Sequence, residues 1–390
     1  MPGAAPDTLR DRWLHWRNRT LASPRFQRLA AAFPLTRPIA RRRASQLFDI
    51  VAGFVYAQVL MACVRLDVFE RLSHGPLNLS DLAQQLQLPL PATERLVDAA
   101  TALQLLERFS AGRVGLGVLG APMVGNAGIA AMVLHHEALY RDLADPLALL
   151  RGEQQRGQRE GHVLPTDRLA SYWPYASTEA PQQLTGAQVA EYSTLMSASQ
   201  PLVAGEILDA YPLAQHRCLL DVGGGEGRFL RAAAARAPHL QLQLFDLPAV
   251  AERARHALAE AGLAARSTTY GGSFFTDPLP TGADLATLVR VAHDHDDPRV
   301  MQLLRAIHTA LQPGGTLLLA EPMSDTQGAQ AMGDAYFGFY LLAMGRGQPR
   351  TPQRLSQMLQ DAGFQQVRLL SNPMPLQTRI LLARKAGAEA

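Results

Sequence analysis

The chain has 390 residues, 47% of them hydrophobic, a net charge of +3 and two cysteines. That length admits two domains, and two cysteines exclude a disulfide framework and supply no cysteine metal site; Cys63 and Cys218 lie in apolar surroundings and read as buried thiols. No apolar run reaches the ~18 residues of a membrane span, and the first residues lack a secretory apolar core, so the protein reads as cytoplasmic.

The charge is unevenly placed. Residues 1–43 hold ten arginines against Asp7 and Asp11, a net +8 that leaves −5 for the rest, and Lys385 is the only lysine. Residues 7–21 have the pattern of an amphipathic helix, with Leu9, Trp13 and Trp16 on one face and Arg10, Arg12, Arg17 and Arg19 beside it. Such a segment either lies on an anionic membrane surface or packs on its own domain or a partner subunit. Pro34 and Pro38 end the arm, which spans 1–44. Residues 45–120 read as a compact helical domain. Phe48 to Leu66 is apolar enough for a buried helix, Ser80 is placed to cap a second, and Pro91 to Leu106 forms a third. Glu107–Phe109 and Arg113–Leu116 then form a small β wing. This winged-helix order occurs in DNA-binding proteins, but Glu94, Asp98 and Glu107 would repel phosphates, so no nucleic-acid partner is expected. Residues 121–215 are mostly helical, with an aromatic stretch at Tyr172–Tyr175. A helix over Glu191–Tyr211 carries Tyr192 and Met196 on neighbouring turns.

From Cys218 the pattern becomes regular. Leu219, Leu220 and Val222 make a buried strand, Gly223, Gly224, Gly225 and Gly227 a loop, and Phe229 onward a helix. This opens a doubly wound α/β sheet, which with residues 216–390 makes a Rossmann-like domain. A dinucleotide loop would place its third glycine at Arg228, whereas Asp221, Gly223, Gly225 and Gly227 match the shorter loop of S-adenosylmethionine (SAM) enzymes. The second strand ends at Asp246, 25 residues after Asp221, where an acid can hold both ribose hydroxyls. Ser273, Phe274 and Phe275 follow the third strand near the expected adenine position. The fourth strand ends in Arg290–Asp297, and the fifth, Thr316–Ala320, leads to Glu321. Ligands of such sheets bind at the carboxyl ends of strands.

His293 therefore stands on the ligand side, where a neutral imidazole can take a proton from a hydroxyl. Glu321 is placed to orient it, and Asp294 either assists or caps the next helix. His293 to Asp297 also reads as a metal cluster, but adjacent residues seldom converge on one ion and no second cluster stands at ligand spacing, so no metal is expected. His295 and Asp296 read as solvent-facing or helix-capping residues.

The motifs DVGGGEG (221–227), FDLP (245–248), GGSFF (271–275), RVAHDHDD (290–297), LQPGG (311–315) and AGF (362–364) come in the order seen in class I SAM-dependent O-methyltransferases of the plant caffeic-acid and animal acetylserotonin type, and the chain resembles that family. The resemblance implies SAM as cofactor and an N-terminal winged-helix-like dimerisation domain, hence a homodimer. Position by position it implies that Tyr192, Gly223, Gly225, Asp246, Ser273, Phe274, Phe275 and Arg290 hold the cofactor. It implies His293 as base, with Met196, Phe337, Tyr340 and Met344 lining the acceptor pocket. Two departures stand out: Ser273 replaces an acid facing adenine, and Pro349 replaces a glutamate before the RT of GQPRT (347–351), leaving Glu321 and Asp294 as the acids near the histidine.

The segment at 33–69, with the arginine-rich arm before it, resembles the carotenoid hydroxyl methyltransferases of purple phototrophic bacteria, which act on 1-hydroxy groups of acyclic carotenoids such as demethylspheroidene. The resemblance thus implies a hydrophobic carotenoid substrate, and a basic arm suits peripheral contact with the cytoplasmic face of a membrane. Two other functions fit the same sequence: O-methylation of a phenol, polyketide or bacteriochlorophyll precursor, and a SAM- or ligand-sensing winged-helix regulator.

Overall fold

The computed structural model describes residues 8–152, 169, 200–201, 203–375 and 377–387. The chain divides into two compact units, Met1–Val124 and Gly125–Ala390.

The first unit begins with α1 (Leu9–Ala22), whose start is fixed by a capping box: Thr8 Oγ1 accepts from the Asp11 N–H and Asp11 accepts from the Thr8 N–H. Trp13 and Trp16 are exposed on it. Next come α2 (Pro24–Ala32) and α3 (Arg37–Arg65). Pro38 starts α3 rather than ending the arm, because the first turn needs no N–H from it. Then follow α4 (Val68–Arg71), α5 (Leu79–Leu86), α6 (Leu90–Ala102) and the antiparallel wing of β1 (Leu106–Arg108) and β2 (Val114–Leu116). Asn78, not Ser80, is the residue before α5; Ser80 lies inside the helix.

The expected burial of the 48–66 helix is corrected. Only Met61, Cys63 and Val64 of α3 are buried, while Ile50 is 80% and Phe54 70% exposed, with Leu47, Phe48, Val51 and Val55 also open. Among the described residues α3 is also the one helix long and apolar enough to cross a membrane by length and composition, against the expectation that no apolar run reaches that length. An apolar row of this size on one protomer marks a surface made to be covered.

In the second unit, α7 (Ala127–Leu143) and α8 (Pro146–Leu150) precede the sheet, and residues 203–210 are helical. A seven-stranded sheet follows, in the order β5-β4-β3-β6-β7-β9-β8. Its strands are β3 (Cys218–Val222), β4 (Gln241–Asp246), β5 (Ser267–Gly271), β6 (Leu285–Val289), β7 (Thr316–Glu321), β8 (Gln365–Leu370) and β9 (Arg379–Arg384). β3 to β7 run parallel, and β9 is antiparallel to both β7 and β8. Helices α9 (Arg228–Arg236), α10 (Pro248–Glu260), α11 (Asp297–Ala310) and α13 (Pro352–Asp361) alternate with the strands, and α12 (Phe337–Met344) packs on α7 and α8.

The centre of the sheet is dry on both faces. Every residue of β6 and β7 is buried, which is why these strands read as unbroken apolar runs. One core holds Leu219, Phe229, Leu230, Leu242 and Leu244; the other holds Leu220, Leu288, Leu304, Leu317 and Leu355. From β3 the chain order runs outward through β4 and β5 on one side and through β6 and β7 on the other. The carboxyl ends of β3 and β6 therefore diverge into a crevice, the place where such sheets take ligands.

Candidate functional site

The glycine loop leaves β3 at that crevice. Gly225 has φ +55 and open space where a Cβ would stand, so its backbone is free to face a ligand. Asp246 ends β4 and reaches back to the loop: its Oδ2 accepts from the Gly225 N–H at 2.8 Å and its Oδ1 from the Leu247 N–H at 2.7 Å. Each oxygen keeps a second lone pair, the acceptor capacity a ribose diol requires. Burial pushes the Asp246 carboxyl up to about 6, held back by these two N–H bonds.

Behind the loop, Asp221 is buried, its Oδ1 accepts from the Thr287 hydroxyl at 2.7 Å, and its other oxygen packs against Gly224. Burial pushes this carboxyl up to about 7, although the Thr287 bond opposes the shift. Asp221 thus supports the loop from below.

After β5, Ser273 is buried, its Oγ accepting from the Phe275 N–H at 3.4 Å. The loop is closed by Asp277, whose carboxylate accepts from the Ser273 N–H at 2.8 Å. Phe274 and Phe275 stack edge-on at 4.7 Å. His295 faces both rings, at 5.7 and 5.1 Å, and is neither solvent-facing nor a helix cap; burial lowers its pKa to about 4. Asp296 is the exposed residue that precedes α11, without a side-chain cap bond.

β6 exits through Arg290 in the left-handed region, φ +58, an unusual conformation for a residue with a side chain and one that concentrates at functional sites. Next comes a short turn, Ala292–Asp294, carrying His293. The imidazole is buried between two carboxylates. Nδ1 lies 3.5 Å from Glu321 Oε2 without hydrogen-bond geometry, and Nε2 lies 3.2 Å from Asp294 Oδ1. Glu321, the last residue of β7, is fully buried and its Oε2 also accepts from the His293 backbone N–H at 3.0 Å. Burial disfavours the imidazolium, but Asp294 and Glu321 outweigh it and hold the His293 pKa above its ordinary value, against a smaller opposing effect of Arg290.

The aromatic wall is the face of α12 and the π-turn before it, Ala331–Tyr336. Phe337 stands 6.0 Å from the His293 ring. Tyr340 is buried with its hydroxyl 2.8 Å from His135 Nε2, and Tyr336 makes the same pairing with His136 at 2.7 Å. Burial drives His135 down to about 4, with the neighbouring His136 adding to the shift, and lowers His136 as well. Met344 is buried in a cluster with Leu139, Leu149 and Tyr340. Tyr192 and Met196 lie outside the described residues.

Expected residues from five strand ends are thus found around one crevice: Gly223, Gly225, Asp246, Ser273, Arg290, His293 and Glu321. Sequence reasoning missed His135, His136, Tyr336 and Arg350. The doubled histidine at 135–136, in an apolar helix, and the arginine of GQPRT (347–351) are the signals that point to them in the sequence. No group of three metal-ligating side chains occurs among the described residues.

The family profile for the O-methyltransferase domain matches residues 171–365, and that for the O-methyltransferase dimerisation domain matches residues 48–134. The chain is 42% identical over 360 residues to a demethylspheroidene O-methyltransferase of Cereibacter sphaeroides, covering 92% of this chain and 91% of that one. The chain belongs to the O-methyltransferase family. A demethylspheroidene O-methyltransferase of Rhodobacter capsulatus is 38% identical to this O-methyltransferase, over 98% of this chain and 92% of its own. The acetylserotonin O-methyltransferase of Mus musculus is 31% identical, over 88% and 89%. Among solved structures, human N-acetylserotonin methyltransferase in complex with SAM superposes with a TM-score of 0.70 at 25% identity, covering 88% of this chain and 98% of that one.

This O-methyltransferase uses S-adenosylmethionine, and the glycine cradle, the ribose-type acceptor Asp246 and the buried Ser273 loop fit that cofactor. Residues 48–134 match the family's dimerisation domain, which supports a homodimer.

Proposed function

We propose that this methyltransferase methylates the 1-hydroxy group of an acyclic carotenoid with His293 as general base. The observation that carries the chemistry is the buried imidazole at the end of β6, held between Glu321 and Asp294 and facing Phe337. The substrate class rests on the two relatives of about 40% identity. Bound SAM supplies the methyl group and leaves as the neutral thioether. The imidazole takes the proton from the acceptor hydroxyl as its oxygen attacks, and the two carboxylates, Glu321 beside Nδ1 and Asp294 beside Nε2, stabilise the imidazolium that results. A tertiary alcohol is far less acidic than an imidazolium, so proton removal is concerted with attack. The chain's contribution is alignment and exclusion of water by the aromatic wall.

Purified enzyme with labelled SAM and detergent-dispersed 1-hydroxycarotenoids, run beside a simple phenol, tests the acceptor: label on the carotenoid and not the phenol is expected, and label on the phenol alone discards the carotenoid. His293→Ala is expected to lose about 10²–10⁴-fold in kcat, the range of general-base catalysis, with SAM affinity unchanged.

We also propose that the arm brings the enzyme to the cytoplasmic face of the membrane, where an apolar acceptor dissolves. Its arginines suit phosphate and the exposed Trp13 and Trp16 suit the interface. Flotation with vesicles containing anionic lipid, but not with neutral ones, is the expected result; absence from both leaves the arm to the partner subunit.

A further inference from the structure

We propose that Arg350 is the positioning residue for His293: its buried guanidinium pins the turn that carries the imidazole. This rests on the reading of His293 as the base.

Arg350 is 3% exposed. Its Nη1 donates to the Ala292 carbonyl at 2.9 Å and its Nη2 to the His295 carbonyl at 2.6 Å, so the fork spans the residues on either side of His293 and Asp294. Its Nε donates to Asp297 Oδ1 at 2.7 Å, which fixes the fork in place. The neighbouring chain fastens the middle of the same turn: the Gln348 N–H donates to the His293 carbonyl at 2.9 Å. Gly347, at φ +81, allows that approach, since a Cβ there would overlap the His293 carbonyl oxygen. Arg350 is tied to the other partner as well. Its own carbonyl accepts from the Ser324 N–H at 3.0 Å, three residues beyond Glu321, and it bridges Met323.

One residue therefore fixes the turn bearing His293 and the chain leaving Glu321 relative to each other. That distance matters because Nδ1 and Glu321 Oε2 face each other across 3.5 Å with no hydrogen bond to lock them. The restraint on the pair comes from the backbone of the turn, where the His293 N–H donates to Glu321 Oε2 at 3.0 Å and Arg350 holds the carbonyls on either side. A planar fork reaches two carbonyls and a carboxylate at once, whereas a lysine presents a single point charge. Pro349 is compatible with this arrangement: no side-chain acid is needed from that position to hold the turn.

The test is Arg350→Lys, which keeps the charge and loses the fork, together with Asp297→Asn, which frees the fork's anchor and leaves its carbonyl bonds. Arg354→Lys is the control, because Arg354 shares Asp297 but touches no carbonyl of the turn. The readouts are kcat, the KM for SAM, and the titration of His293 followed by NMR on histidine-labelled homodimer. In Arg350→Lys, kcat is expected to fall about 10²-fold, the loss typical of an ångström-scale misplacement, with the KM for SAM within about twofold. The His293 titration is expected to move to lower pH as Glu321 loses contact. Asp297→Asn should shift both in the same direction by less, and Arg354→Lys neither. An unchanged kcat and titration in Arg350→Lys overturns the proposal, as does a fall in kcat with His293 titrating as in the wild type. Should Arg350→Lys not fold, the same two readouts on Asp297→Asn decide. The base assignment fails separately: His293→Ala would then retain turnover while the titration shift in Arg350→Lys persisted.

Discussion

Glu321→Gln isolates the electrostatic half of the His293–Glu321 pair. The amide is nearly the same size, and its oxygen can still accept the His293 backbone N–H that Glu321 takes at 3.0 Å, so the turn should keep its shape. What disappears is the charge 3.5 Å from Nδ1. At that distance and an effective dielectric of about 20, an imidazolium and a carboxylate attract by about 5 kcal/mol. Part of this is already spent in the resting enzyme, where the same carboxylate raises the pKa of His293, and Asp294 remains to stabilise the cation. Taking about half of it as lost on the way to the transition state gives a fall in kcat of about 10²-fold, or ~2.7 kcal/mol. The pH dependence carries a sign of its own. The neutral imidazole is the active form, so a raised pKa moves the acidic limb of kcat/KM to higher pH than an unperturbed histidine would give, and removing Glu321 moves that limb to lower pH. Stopped assays with saturating SAM across the pH range measure both. A Glu321→Gln enzyme with kcat within about threefold of wild type and an unmoved limb would refute the pairing.

Three other outcomes follow from the same geometry. Gly223→Ala would set a methyl 2.7 Å from Val291 and should lower thermal stability, whereas Gly225→Ala meets open space and should keep the fold within ~1–2 kcal/mol while weakening SAM binding; calorimetry and melting curves separate the two, and equal melting losses or unaltered SAM affinity would contradict the cradle. Asp221 stands near a pKa of about 7 in the fold against ~3.9 unfolded, so the penalty of its buried charge is full above about 7 and fades as the pH falls. Wild type should therefore gain melting temperature relative to Asp221→Asn as the pH is lowered from about 8 toward about 5, and parallel curves would sink this account. Ile50→Asp or Phe54→Asp, on the exposed row of α3, should turn the homodimer into monomer by light scattering, since each large apolar side chain covered contributes ~1.5–3 kcal/mol; a dimer that survives both places the interface elsewhere.

Much of the site was legible because it is built from strand ends. The strand–loop–helix at Cys218–Leu230, the acid closing β4 and the histidine after β6 are each encoded over a dozen residues by apolar runs, glycines and punctuation, and a parallel sheet then aligns those ends without further instruction. The first unit was legible in type, including the wing of β1 and β2, but not in burial. Phe48–Leu66 reads the same whether its apolar face meets its own core or another protomer, because the hydrophobic pattern records that a surface is to be covered and not by what.

The sequence alone therefore determined the two-part architecture, the SAM-type loop and the roster of residues at the carboxyl edge, since all of these are local patterns repeated along the chain. Only the tertiary structure decided what each side chain meets. His295 turned inward to Phe274 and Phe275, His135 and His136 paired with Tyr340 and Tyr336 some two hundred residues away, and Arg350 closed on carbonyls more than fifty residues earlier in the chain. Such contacts are set by where two elements pack and which polar groups would otherwise be buried without partners, and that information is distributed over the whole fold.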